Sequence, residues 1–358
     1  MQAPLRVGLI GAGRISAKHL EAATRFPDQL RYAAVADVDE AAACRRAVEA
    51  GTEHVFTDGL ELIRRADIDA VDICSVADSH AEYAIAAAEA GKHVLVEKPM
   101  AVTMRQCREM VSAAQRAGVT LMVAHNQRYM ANYRAVRRAV REGELGEVRA
   151  VRIESLGGGN APAGHWQYDA QRSGGGVVIT MAIHRIDLAR FFAGEVRRVT
   201  AICRSTRPEM INGAEDWAWA MMEFESGAVG DLLATWSAFR VPWGESFVVF
   251  GEKGTVHAIP WAVKYREPSQ IASEKRSPPR EPGDRAGKSR GFVPLEPDTA
   301  GLPTGEMYID EMLHFAECCR TGAEPVSSGR DNLGTMRVVF GIYESARRGA
   351  AVELSDVD

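Results

Sequence analysis

Little in this sequence marks a secreted, membrane-spanning or nucleic-acid-binding protein. Its six cysteines (Cys44, Cys74, Cys107, Cys203, Cys318, Cys319) form no CxxC pair, no metal-ligand spacing and no small disulfide framework. That pattern fits a reducing compartment and gives no reason to expect a metal. No apolar run approaches the length needed to cross a bilayer. Strand-like sequence begins within a few residues of Met1, leaving no room for the charged and apolar regions of a signal peptide, so a cytoplasmic protein is expected. Positive charge is not in excess: 43 Lys and Arg against 48 Asp and Glu give a net charge of −5. Neither nucleic acid nor an anionic membrane is then an expected partner.

What is present is the composition of an ordinary globular protein, 46% hydrophobic and 25% charged. At 358 residues the chain exceeds one typical core, and two domains with a small-molecule partner are expected. The organising stretch is Val94-Leu95-Val96-Glu97-Lys98-Pro99, where a short β-branched run ends in two opposite charges and a proline. Such a run reads as a strand buried on both faces. In an open parallel sheet, ligands collect beyond the strand C-termini, so Lys98 is expected to point into a site.

Further evidence for such a sheet lies at the start of the chain. Arg6 to Ile10 reads as a first strand, Gly11-Ala12-Gly13-Arg14-Ile15-Ser16 follows at once, and a helix-like segment runs through Thr24. Alone, a GxGxxS frame is weak evidence, but Asp37 at the end of a second strand (Leu30 to Ala36) completes the context of a dinucleotide site. Gly11 would permit the tight turn, and Gly13 would let the backbone approach a pyrophosphate at the helix N-terminus. The Asp37 carboxylate suits the hydroxyls of an adenosine ribose and repels a 2′-phosphate, and no arginine follows immediately. NAD is therefore favoured over NADP.

Ala70 to Val76 reads as another strand, after which Asp78 or Ser79 can cap a helix carrying His80 in its first turn. A helix from Thr103 to Ala117 and a strand at Thr120 to Ala124 close a first domain, 1–125. His125-Asn126-Gln127-Arg128-Tyr129 opens the second, 126–358, again at a strand end, which makes Asn126 and Arg128 candidate substrate contacts as well as candidate linker. Ser173-Gly174-Gly175-Gly176 precedes a helix from Val177 to Ala193. Along it Thr180, His184 and Asp187 stand at i, i+4 and i+7, on one face of an otherwise apolar helix. Trp166 and Tyr168 could stack on a sugar ring or anchor their own loop.

From Val196 to about Tyr265 the pattern is antiparallel, with hairpin signals at Glu225-Ser226-Gly227 and Glu252-Lys253-Gly254. Trp217 to Phe224 is apolar on both alternating faces, so one face is expected to bury a second subunit. Arg266 to Gly305 has no usable periodicity and reads as a lid, an arm onto a neighbouring subunit, or disorder. Helices are expected near Met307 to Arg320 and Asn332 to Arg348.

Taken together, these residues resemble the Gfo/Idh/MocA family of nicotinamide-dependent sugar and polyol oxidoreductases nearly end to end. The resemblance is carried by Gly11-Ala12-Gly13-Arg14-Ile15, by Gly91 to Pro99, by Gly174-Gly175-Gly176 with His184-Arg185-Ile186-Asp187, and by Tyr343-Glu344-Ser345-Ala346. It implies an α/β protein with an N-terminal doubly wound Rossmann sheet and a C-terminal α/β domain, whose open, largely antiparallel mixed sheet makes a homodimer or homotetramer. It also implies that Lys98 lies by the nicotinamide and the reacting oxygen, and that His184 accepts the proton. The cofactor set then comprises Gly11, Gly13, Arg14, Ile15, Asp37, Ser75, His80, Glu97 and Lys98. Substrate contacts fall on Asp187, Thr180, Asn126, Arg128 and Trp166. Two positions depart from the family: Thr180 stands where Asp often precedes the histidine by one turn, and Ser75 is followed by Val76 where Pro is common.

The expected activity is NAD-dependent interconversion of a secondary alcohol and a ketone on a sugar, cyclitol or related polyol. A redox-neutral epimerase, lyase or glycosidase with transiently reduced NAD is the alternative, and a non-catalytic NAD-sensing protein is a third reading.

Overall fold

The computed structural model describes residues 3–159, 161–238, 244–259, 262–266 and 293–357. The first lobe is a six-stranded sheet, β1 (Leu5–Ile10), β2 (Leu30–Ala36), β3 (Val55–Phe56), β4 (Ala70–Ile73), β5 (His93–Glu97) and β6 (Leu121–Ala124), in the order β3-β2-β1-β4-β5-β6. All pairs are parallel. Chain order reverses between β1 and β4, and the crevice outside the strand ends there is where an open α/β sheet takes a ligand.

Apolar runs form these strands because both faces are covered. Val94 and Val96 of β5 point into one helical layer, built from His80–Glu89 and Met104–Ala117, while Leu95 points into the other, with the helix Arg14–Arg25. The second layer is completed from far along the chain. The helix Met307–Thr321 packs on the helix Arg14–Arg25 and brings Ile309, Met312 and Phe315 into the same core as Leu5, Val7 and Leu9. The chain thus returns to the first lobe well past the boundary expected at residue 125.

The second lobe is a mixed sheet of β7 (Val148–Leu156), β8 (Val196–Arg204), β9 (Trp217–Phe224), β10 (Val229–Thr235), β11 (Glu245–Gly251), β12 (Thr255–Ile259), β13 (Ala262–Arg266), β14 (Val293–Pro294) and β15 (Val352–Glu353). Among the described residues its order is β14-β13-β12-β11-β7-β10-β9-β8-β15, with only β7 and β10 paired in parallel. One face packs on the helices Ile183–Ala193 and Gly329–Arg348 through residues such as Ile153, Ala220, Met222 and Leu232. The other carries Trp219 and Met221, 53% and 66% exposed, beside Ile202 and Val229. The alternating pattern read in β9 is therefore real, with one set of side chains in the core and one in the open.

The segment 267–292, which contains most of the stretch read as a lid or arm, lies outside the described residues. No helix among the described residues is long and apolar enough to cross a membrane.

Candidate active site

Gly11, at φ 100°, turns the chain out of β1 where a Cβ would lie 2.6 Å from the backbone of Cys74 and Ser75. Around Gly13 there is open space on the Cβ side, and the helix Arg14–Arg25 begins there with no side-chain cap and no acidic residue in its first turn. Free N–H groups at such a helix start attract an anion. Asp37, at the end of β2, accepts from the Ala12 amide at 2.6 Å and the Asp39 amide at 2.9 Å, which fixes its carboxylate beside the glycine turn. These features fit a dinucleotide: a pyrophosphate on the helix start, flanked by Arg14 and Ile15, and a ribose by Asp37.

Other expected cofactor contacts are engaged with protein. His80 is buried, with Nδ1 2.8 Å from the Pro99 carbonyl oxygen and Nε2 3.1 Å from that of Ser75, so its ring ties two loops of the crevice floor together. The Ser75 hydroxyl pairs with Ser79 at 2.8 Å. Glu97 turns inward; its buried carboxylate accepts from the Lys98 amide at 3.0 Å and lies 3.3 Å from His19 Nε2.

Lys98 follows β5 and crosses to the second lobe, where its Nζ donates to the Thr180 carbonyl at 3.0 Å. Burial lowers its pKa below the ordinary lysine range, with Glu97 opposing the shift and Arg14 adding to it. Thr180, a candidate substrate contact, lines the cavity that also holds Lys98 and His184. The residues 178–182 form a wide π turn ahead of the α-helix Ile183–Ala193, and Asp187, the third residue of the i, i+4, i+7 set, lines no part of that cavity. Thr180 bonds its hydroxyl to the Gly176 carbonyl at 2.6 Å, and its main-chain carbonyl is the group that meets Lys98.

Close packing sets that turn. A Cβ on Gly176 would lie 1.9 Å from the Glu215 carbonyl oxygen, and one on Gly175 would lie 2.1 Å from the Tyr343 hydroxyl. The Glu215 carboxylate accepts from the Gly176 and Val178 amides at 2.8 Å each and from Tyr343 at 3.1 Å. The glycine run is thus a helix start capped by a buried carboxylate, whose pKa burial pushes up to about 7.

His184, one turn on, lines the same cavity as Lys98. Its Nδ1 is buried without a hydrogen-bond partner. Burial, then the nearby Lys98 and His125, holds its pKa well below the ordinary histidine value, so the ring is a neutral imidazole. The cavity, of about 220 Å³, is closed by Gln167, Tyr168, Met181 and Trp236. Trp166, expected to stack on substrate, instead rests on His165 with ring centroids 5.7 Å apart and lines no part of it.

Asp187, expected to orient His184 or bind a substrate hydroxyl, and Arg128, expected to face substrate, line no part of this cavity. Arg128 donates to both Asp187 oxygens, at 2.7 and 2.6 Å, and pairs with Asp331 at 2.7 Å. Thr335 donates to Asp187 at 2.9 Å. All three of Asp187, Arg128 and Thr335 are buried, and the helix Ile183–Ala193 is thereby clamped to the 3₁₀ turn Asn126–Tyr129 and the helix Gly329–Arg348. Asn126 is buried beside them, its Oδ1 without a partner.

Sequence reasoning missed His125, whose ring stands edge-on to His184 with centroids 6.1 Å apart and whose Nε2 lies 2.7 Å from Asn332 Nδ2. It also missed Trp236, which follows β10 and reaches the cavity only because β10 pairs with β7. No local signal marked either residue.

The fold agrees with that of known proteins. Residues 5–125 match the model of the oxidoreductase family with NAD-binding Rossmann fold, and residues 133–257 match that of the GFO/IDH/MocA C-terminal domain. A myo-inositol 2-dehydrogenase of Thermotoga maritima is 30% identical over 99% of this chain and 99% of its own. An inositol 2-dehydrogenase of Rhizobium meliloti is 32% identical over 98% of this chain and 99% of its own. A D-apiose dehydrogenase of Paraburkholderia graminis is 31% identical over 98% and 90%. Among solved structures, levoglucosan dehydrogenase in complex with NADH and L-sorbose superposes with a TM-score of 0.86 at 26% identity, covering 99% of each chain.

Proposed function

This chain belongs to the Gfo/Idh/MocA family of oxidoreductases, and from that premise we propose that it is an NAD-dependent dehydrogenase interconverting a secondary alcohol and a ketone on a sugar, cyclitol or related polyol. The observation that carries the reading is one cavity holding an ammonium, Lys98, and a neutral imidazole, His184, within reach of the crevice by the glycine turn. Bound NAD supplies the acceptor for the hydride leaving the carbinol carbon.

The protein's part is proton and charge management. Lys98 donates a hydrogen bond to the substrate oxygen and stabilises negative charge developing there. With Nδ1 sealed in the protein, the Nε2 edge of His184 takes the hydroxyl proton. The half-apolar wall of Tyr168, Met181 and Trp236 suits a ring's carbon face, with Gln167 for its hydroxyls. Gly11, Gly13, Arg14, Ile15 and Asp37 hold the dinucleotide.

Purified protein incubated with NAD or NADP and a panel of cyclitols, aldoses and anhydrosugars tests this directly. Accumulation of reduced cofactor with NAD is the expected result. Product without net reduced cofactor, or no turnover across the panel, would overturn it.

Assembly follows from the same lobe. The open sheet face bearing Ile202, Trp219 and Met221 is the surface through which a second copy of the chain packs, giving a homodimer or homotetramer. Sedimentation should find a single oligomer for the wild type and dissociation for Met221→Glu; a monomeric wild type would remove this part of the proposal.

A further inference from the structure

Behind Lys98 lies a fully buried set of titratable groups that the proposed chemistry does not use. His19, on the helix Arg14–Arg25, is 0% exposed, with Nδ1 3.1 Å from each oxygen of Asp72 on β4 and Nε2 3.3 Å from Glu97 Oε1 on β5. Asp72 also accepts from Tyr32 of β2 at 2.6 Å and from the Cys74 thiol at 3.4 Å. From the helix Met307–Thr321, Tyr308 stacks near the His19 ring at 6.2 Å, and Glu311 is buried with neither carboxyl oxygen bonded. Burial pushes the Glu311 pKa well up, so it stands as a neutral acid and competes for no cation.

Nδ1 bonds Asp72, while Nε2 makes no aligned hydrogen bond but stands at ion-pair distance from Glu97, and an imidazole held between two carboxylates is favoured as the cation. A cation at that place is what a buried Glu97 needs to remain ionised, and an ionised Glu97 is what an amine desolvated at Lys98 needs to keep its proton. Burial opposes the charge on His19, but Asp72 overrides it and holds the ring's pKa well above its ordinary value. Burial likewise works against Glu97, and His19, ahead of Lys98, brings its carboxyl below the usual range. At the far end Arg14 is the cation that opposes Lys98, and Thr180 the carbonyl that receives it.

We propose that His19 is a positioning residue for Lys98: doubly protonated between Asp72 and Glu97, it completes an alternating chain of buried charges that keeps Lys98 an ammonium in the crevice. The inference deepens the reading of Lys98 as the group at the substrate oxygen and rests on it. It assigns the alkaline limit of the enzyme to residues buried behind the crevice.

The test needs no turnover. Full-length protein is treated with cyanate, which carbamylates only neutral amines, across a pH series, and Lys98 is quantified against exposed Lys253 by peptide mass spectrometry. Losing the chain lowers the Lys98 pKa, and a fall of about one unit makes modification about tenfold faster below the midpoint. Glu97→Gln should show this in full, His19→Gln nearly in full, and Asp72→Asn in the same direction but less. Thermal unfolding of each variant separates a purely structural loss, which would leave the Lys98 to Lys253 ratio as in wild type. An unchanged ratio in Glu97→Gln would overturn the chain. An effect there without one in either His19→Gln or Asp72→Asn would remove His19 from it, and Asp72→Asn carries that comparison should His19→Gln not fold. Absence of any dehydrogenase substrate sinks the functional reading while leaving this measurement intact.

Discussion

Behind Lys98 the buried charges run as a chain that ends on the lysine itself, whereas behind His184 they close on one another. Asp72, His19 and Glu97 lead up to the backbone of Lys98. On the other side Asp187 is saturated by Arg128 and Thr335, and the His184 Nδ1 is left with no partner. The difference teaches how one cavity holds an ammonium and a neutral base together: the first is maintained by charge alternation, the second by desolvation. A charge shared with His184 would raise its pKa and spoil it as a proton acceptor at neutral pH.

The largest effects should come from the two side chains themselves. Lys98→Met and His184→Asn are each expected to lower kcat by about 10²- to 10⁴-fold, and in His184→Asn NAD binding, measured by calorimetry, stays within about twofold. Wild-type turnover in either would take that residue out of the chemistry. Because His184 titrates below its ordinary value and must be neutral to act, kcat/KM should stay level as pH falls from 8 to about 6.5 and drop only below that. An acid limb above about 6.5 would mean that the Asp187 cluster does reach the ring.

Next in size is the closed cluster. Arg128→Met leaves Asp187 buried and unpaired and should cost about 3–5 kcal/mol in denaturant unfolding. Against burial, Arg128 and then His125 and Arg190 hold the Asp187 carboxyl below the usual range, so its contribution is present above the unfolded aspartate pKa and is lost only as pH falls through the folded one. If the comparison is right, the acid limb of kcat/KM in the mildly perturbed Thr335→Val variant stays where it is.

Smallest is the effect at the capped helix start. Folded Glu215 titrates at about 7, above its ordinary 4.5, so the folded state binds the extra proton between these values. Stability should then decline as pH rises through that window, by roughly 3 kcal/mol if the group acts alone. Glu215→Gln should flatten that part of the pH dependence of unfolding. An unchanged slope would assign it to other groups.

Much of the first lobe was legible because its signals are local. Gly11 and Gly13 follow one strand and open one helix, and Asp37 ends the next strand, so a window of some thirty residues holds the whole argument. The glycines at 174–176 were legible as a helix start but not as a cap, since the capping carboxylate of Glu215 arrives from about forty residues away. Asp187, Arg128 and Trp166 lie outside the cavity for a common reason, whereas Thr180 lines it. Spacing on an ideal helix or position at a strand end says where a side chain starts, while its partners decide where it goes. A salt bridge consumed two, and a neighbouring imidazole held the third.

By itself the sequence determined the parallel sheet and the dinucleotide turn and pointed to Lys98 and His184 as crevice residues. Strand runs buried on both faces, a glycine turn before a helix, a lysine at a strand end and a histidine on an otherwise apolar helix are properties of composition and order. Only the tertiary structure decided which groups surround Lys98 and His184. Their pKa values depend on burial and on neighbouring titratable groups, and those come from separate elements: the helix at Arg14, β5 at Glu97, the turn at His125 and the helix at Asp187. No local pattern can encode a distance between residues so far apart in the chain.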